Sequence, residues 1–214
     1  MSRLPWDARV AVITGAETET GAALAVELAR RGAAVAVQYD KSFVRAKELV
    51  RSIERNGGRA VAIRADLSDP SAADLLCKKA GGAFGDVDIV VASEAPPSAA
   101  REGEEDAQSI ADAVRDRLLA VLSPLHAALD AMARRGSGLL VHAGSGEPAG
   151  PASEAARAAA AAAVVALGRT AGPLGLSTHT LVLGTPQETA RGVAHLAEGA
   201  AGHAPAAVGS VMQR

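Results

Sequence analysis

Strand-like and helix-like stretches alternate along almost the whole chain, and this alternation constrains its fold more than any other feature. Short runs rich in Val, Ile, Leu and Ala occupy residues 9–14, 33–39, 60–64, 87–92, 138–143, 178–183 and, with a weaker pattern, 206–212. Longer stretches of helical character fill the gaps at 20–30, 42–55, 71–80, 104–134, 152–170 and 187–198. A helix between successive strands carries the chain back to start the next strand in the same direction, so the sheet is expected to be parallel. Right-handed crossovers then place helices on both of its faces. The expected fold class is α/β, a single doubly wound parallel sheet of about seven strands. At 214 residues the chain suits one domain, spanning 1–214.

Composition narrows the function classes. Apolar residues make up 49% of the chain but aromatics only 2%, so Ala, Val and Leu must do the packing. Net charge is −2 with Lys and Arg scattered, and no basic stripe is present to hold nucleic acid. Cys77 is the only cysteine, so no internal disulfide can form. Residues 1–9 contain no apolar run of signal-peptide length. The longest apolar stretch, 158–167, is about half of what a membrane helix needs. A cytoplasmic protein with no membrane or nucleic-acid partner is expected. Residues 94–107 and 144–150 read as loops, and the alanine run at 155–163 reads as a helix packed closely against a neighbour.

Five segments, in order, carry a more specific signal. Val10-Ala-Val-Ile-Thr-Gly15 is a strand entering a glycine turn, and Arg31-Gly-Ala-Ala-Val-Ala-Val-Gln-Tyr39 is a second strand. Ala65-Asp-Leu-Ser-Asp-Pro70, Phe84-Gly-Asp-Val-Asp-Ile-Val-Val91 and Gly138-Leu-Leu-Val-His-Ala-Gly-Ser145 follow. Together they resemble the short-chain dehydrogenase/reductase family, its ketoreductase-like members especially, from about residue 8 to about residue 211. The resemblance implies a Rossmann-like fold and an NAD- or NADP-dependent oxidoreductase ancestry; it does not by itself imply activity.

The family binds its dinucleotide on a glycine turn at a helix N-terminus, where backbone amides and the helix dipole favour pyrophosphate. Here Gly15 and Gly21 stand at the first and third glycine positions. Glu19 replaces the middle glycine, and Glu17 is close by. Two unit charges about 4 Å apart repel by about 4 kcal/mol at an effective dielectric of about 20, so Glu19 is expected to weaken cofactor binding. Asp40 is placed to meet a ribose hydroxyl, whereas Lys41 and Ser42 suit a 2′-phosphate, which leaves NAD and NADP both open. Asp66 and Leu67 fall where the family lines its adenine pocket.

The resemblance also implies a catalytic Ser, Tyr and Lys, with an Asn completing a proton relay. The logic is general acid catalysis by a phenol whose pKa a nearby ammonium lowers. Ser145 matches the serine. The Tyr is expected near 157 or 158, where Arg157 and Ala158 stand, and the Lys near 161 or 162, both alanine. The only tyrosine is Tyr39, and no lysine follows Lys79. The asparagine position aligns with Arg117. Glu94 and His142 are the remaining candidates for an acid or base at the strand ends, alongside Arg117, Ser145 and Arg157.

Between the sixth strand and the last helix the family inserts a substrate lid. Here Leu183-Gly184-Thr185-Pro186 leads directly into the helix, so the lid is expected to be deleted. The helices at 104–134 and 152–170 carry more apolar surface than one sheet face covers. The leading expectation is a non-catalytic subunit that uses these helices to pair with a catalytically complete homologue. An atypical NAD(P)-dependent oxidoreductase and a cofactor-independent lyase or isomerase are the alternatives.

Overall fold

The computed structural model describes residues 5–93, 106–145 and 150–199. Six strands, β1 (Val10–Ile13), β2 (Ala34–Tyr39), β3 (Arg59–Arg64), β4 (Ile89–Ser93), β5 (Gly138–Ser145) and β6 (Leu176–Leu183), alternate with helices. The helices are α1 (Glu19–Arg30), α2 (Phe43–Arg55), α3 (Pro70–Phe84), α4 (Ala107–Arg135), α5 (Pro151–Ala171) and α6 (Pro186–Gly199). The strands form one sheet in the order β3-β2-β1-β4-β5-β6, and every ladder is parallel. The doubly wound expectation holds, with six strands among the described residues rather than about seven. The weaker run at 206–212 and most of the expected loop at 94–107 lie outside them. One expected loop starts late: Gly144 and Ser145 extend β5, pairing with Val182 and Leu183.

Strand side chains alternate between two apolar layers. Ala11, Ile13, Val35, Val37, Val91 and Val141 face the core shared with α1, α2 and α6. Val12, Ala36, Val90 and Leu140 face the core shared with α3, α4 and α5. β1 and β4 are buried along their whole length, as the two-sided cover of a parallel sheet requires. Each fully buried Val, Leu or Ile contributes about 1.5–3 kcal/mol through removal from water.

Small residues set the spacing of α5. Its buried face runs Ala152, Ala156, Ala160, Val164, Gly168 and Ala171. A Cβ on Gly168 would lie 2.2 Å from Oγ1 of Thr178 on β6, so helix and strand touch there without an intervening side chain. The alanine run is therefore a close-packing surface on its inner side. Its outer side leaves Ala158, Ala162 and Ala166 exposed.

α4 behaves differently along its 29 residues. Val121, Pro124, Leu125, Ala128, Leu129 and Met132 are buried, all in its second half. Ile110, Val114, Leu118 and Leu119 in the first half are only half-buried. At about 1.5 Å per residue this helix is longer than the strand it covers, which accounts for the uncovered first turns.

β3 forms one edge of the sheet, and arginines stand at both its ends. Arg59 donates to the Asp7 carbonyl and Arg64 to the Asp40 carbonyl, the latter at 3.2 Å. No helix among the described residues is long and apolar enough to cross a membrane.

On β6, burial alone holds the half-buried His179 imidazole below its ordinary value of 6.5. A depressed folded-state value means the fold favours the neutral ring. That contribution to stability is present above the unfolded value and is lost as pH falls through the folded one. Urea unfolding is expected to show the wild-type chain losing stability relative to His179→Gln between about pH 7 and about pH 5. Parallel profiles for the two proteins would show that His179 is not the titrating group.

Candidate functional site

In an open parallel sheet the ligand crevice lies beyond the strand carboxyl ends, where the strand order reverses. Here the reversal falls between β1 and β4, so the turn after β1 and the end of β4 form its floor. The turn is built on two glycines. Gly15 has φ +61°, and a Cβ there would sit 2.8 Å from the Ser93 carbonyl oxygen at the end of β4. A Cβ on Gly21 would lie 2.2 Å from the Gly15 carbonyl oxygen. Both positions need glycine for the turn to close at all, whatever it binds.

Hydrogen bonds then fix the turn. Thr14 donates its amide to the Val91 carbonyl at 3.0 Å, and its hydroxyl accepts from the Ser93 amide at 3.2 Å. Thr18 is the α1 N-cap, and its Oγ1 accepts from the Gly21 amide at 3.0 Å. Gln38, buried near the end of β2, accepts from the Gly15 amide at 2.9 Å and donates to the Ala65 carbonyl at 2.7 Å. This one side chain ties together the ends of β1, β2 and β3.

The predicted binding residues divide on this frame. Gly15 and Gly21 lie in the turn. Asp66 follows the Ala65 held by Gln38. Its exposed carboxylate accepts from the Ser68 hydroxyl at 2.7 Å and amide at 3.0 Å, which hold it below the ordinary carboxylate value. Leu67 beside it is buried in the α3 layer. Asp40 is half-buried at the end of β2. Glu19, expected to be the obstructing carboxylate, is an exposed residue on the first turn of α1.

Glu17, noted in the sequence only as a neighbour of Glu19, is the acid that makes the cross-turn contact. Its Oε2 accepts from the Asp40 amide at 3.3 Å, and its Oε1 accepts from the Ser42 amide. The only sequence cue was its place inside the glycine turn, two residues before the middle glycine position. Together with Glu19, Glu48, Arg45, Arg51 and Arg55, it lines a cleft of about 720 Å³ between the start of α1 and α2. The glycine turn thus suits a pyrophosphate, but the amides at the ribose end already hold a carboxylate. As they stand, these residues do not fit the adenosine end of a dinucleotide.

The predicted catalytic residues are spread more widely. Ser145 ends β5, and its side chain lies outside the described atoms, as does all of Glu94. His142 is fully buried inside β5, between Ala92 on β4 and Thr180 on β6. It is a packed histidine rather than one facing the crevice. Arg117 is half-buried on α4. Arg157 forms an ion pair with Glu154 one turn earlier on α5. The link from β6 to α6 is only Gly184 and Thr185, and Thr185 exchanges hydrogen bonds with Glu188 as α6 begins. A two-residue link leaves no length for a lid at that point.

Residues 9–175 match the family model described as short chain dehydrogenase. The chain belongs to the short chain dehydrogenase family. Among curated relatives, a hydroxynaphthalene reductase of Aspergillus fumigatus is 43% identical over 90 residues, covering 42% of this chain and 33% of the relative. A versicolorin reductase of Emericella nidulans is 45% identical over 84 residues, covering 39% of this chain and 32% of the relative. These matches span about a third of each relative's length. Among solved structures, a dehydrogenase/reductase from Sinorhizobium meliloti is 29% identical with a TM-score of 0.75, covering 88% of this chain and 87% of that one. A short chain dehydrogenase from Burkholderia cenocepacia, solved in complex with NADP, is 27% identical with a TM-score of 0.77, covering 91% and 92%.

The Gln38 bridge gives a direct test of the site's construction. Replacing Gln38 with Leu keeps the bulk but leaves the part-buried Gly15 amide and the buried Ala65 carbonyl without this partner. The expected loss is about 2–4 kcal/mol, read from urea unfolding. A loss below about 0.5 kcal/mol would mean that water or a backbone shift satisfies both groups.

Proposed function

We propose that this chain is a non-catalytic member of the family that pairs with, and supports, a catalytically complete homologue acting as a ketoreductase or dehydrogenase. One observation carries the reading. At the α5 positions where a phenol and an ammonium would work, the chain has Arg157, Ala158, Ala161 and Ala162. An alanine methyl neither donates a proton nor lowers a neighbour's pKa, and Arg157 is engaged by Glu154. Tyr39, the only tyrosine, stands at the end of β2.

The same helix supports the pairing. The exposed Ala158, Ala162 and Ala166 recur every fourth residue, so they line one face. A face without long side chains lets a second helix approach closely. The half-buried Ile110, Val114, Leu118 and Leu119 on α4 add the apolar area such a contact needs.

A second reading has its own support. The curated relatives are named as reductases, and Gly15 and Gly21 keep the turn after β1 closed. On that reading the chain is an atypical NAD(P)-dependent oxidoreductase. Calorimetric titration with NADP and with NAD separates the two, because an oxidoreductase must bind one of them at millimolar concentration or better.

Co-expression with a catalytically complete homologue is expected to yield a co-purifying complex and to raise the homologue's activity or half-life. Ala162→Glu places a charge in the proposed contact and is expected to weaken pairing by about tenfold or more while leaving this chain folded. A homologue whose activity and stability are the same with and without this chain would sink the proposal.

A further inference from the structure

The Glu17 side chain leaves the turn after β1, crosses to the turn after β2, and ends on two backbone amides there. The connection runs both ways. Arg45, on the first turn of α2, donates back to the Glu17 carbonyl at 3.4 Å. Ser42, whose amide Glu17 holds, is also the α2 N-cap, its hydroxyl accepting from the Arg45 amide at 3.4 Å. Two amides converging on one carboxylate form a cradle for an oxyanion. The end of β2 is also where a dinucleotide's adenosine ribose meets a sheet of this kind. Here the oxyanion in the cradle belongs to the chain itself.

We propose that Glu17 is an internal anion that closes the ribose end of the crevice, so that a dinucleotide bearing a 2′-phosphate must displace it to bind. The cleft charges agree with a balanced, self-occupied site. Arg45, Arg51 and Arg55 are matched there by Glu17, Glu19 and Glu48. Removing the Glu17 charge makes the lining net cationic and frees both amides. Glu17 excludes a phosphate in two ways: its oxygens fill the donor positions, and its charge repels the newcomer. A ribose that carries only hydroxyls meets the first obstacle but little of the second. The exclusion is therefore sharper against NADP than against NAD. This inference does not rest on the pairing proposal, and either can fail alone.

The test uses the full chain, isotope-labelled for amide NMR, as wild type, Glu17→Ala and Glu17→Gln. Each is titrated with NADP, NAD and inorganic phosphate. Glu17→Ala is expected to bind NADP roughly tenfold to hundredfold more tightly than wild type, with a smaller gain for NAD. In that variant inorganic phosphate alone is expected to shift the Asp40 and Ser42 amide signals, which it leaves in place in the wild type. Glu17→Gln keeps an acceptor for both amides, so it preserves the turn if Glu17→Ala does not fold, and it is expected to show an intermediate NADP gain. Wild-type chain that binds NADP as tightly as the variants overturns the proposal. So do Asp40 and Ser42 signals that phosphate leaves unmoved in Glu17→Ala. Where only Glu17→Gln folds, the absence of any NADP gain in that variant overturns it equally.

Discussion

Where β1 hands over to α1, the backbone passes so close to the last carbonyl of β4 that a side chain would collide with it. Much of this end of the molecule follows from that approach. Gly15 permits it, and Gly21 lets the first turn of α1 sit directly on the Gly15 carbonyl. The resulting turn aims the start of α1 at the crevice and sets the distance between α1 and the end of β2. Gln38 then locks the geometry from below, tying Gly15 to Ala65 through one buried amide side chain. The frame is specified by the chain's own backbone and by Gln38. It stands in a chain whose α5 carries Arg157, Ala158, Ala161 and Ala162.

The electrostatics of the crevice qualify that frame. A helix N-terminus and converging amides attract anions by default, and the protein's own side chains can satisfy those donors. In this chain the Thr18 hydroxyl takes one amide of α1, and the Glu17 carboxylate takes two in the turn after β2. These three amides are thus paired within the chain.

The fold was readable because its signals are periodic and local. Alternating valines mark β2, and the boundaries of the described elements fell within a few residues of the expected ones. The residue pattern alone stopped β5 at Ala143, because Gly144-Ser145 resembles a turn, whereas the family resemblance carried the strand to Ser145, where pairing with β6 places its end. The site was less readable. Glu19 drew attention because it interrupts a recognisable glycine pattern, yet it is exposed. Glu17 interrupts nothing, and its contact partners, Asp40 and Ser42, are more than twenty residues away in the chain. Spacing along the sequence gives no sign of such a contact; it exists only after β1 and β2 are laid side by side. His142 shows the reverse: a residue type with chemical promise that the strand ladder buries completely.

The arginines at the two ends of β3 bear on how such a chain avoids associating in the wrong way. An open strand edge offers unpaired backbone groups to any other strand, the route by which sheets grow into aggregates. Arg59 and Arg64 each turn a long cationic side chain onto a neighbouring carbonyl, leaving bulk and positive charge beside the strand. A second copy approaching this edge would bring its own arginines against them. Growth of the sheet from β3 is therefore disfavoured by like-charge repulsion. The exposed Ala158, Ala162 and Ala166 of α5 carry no charge, so that helix face and this strand border differ in what they offer a neighbouring molecule.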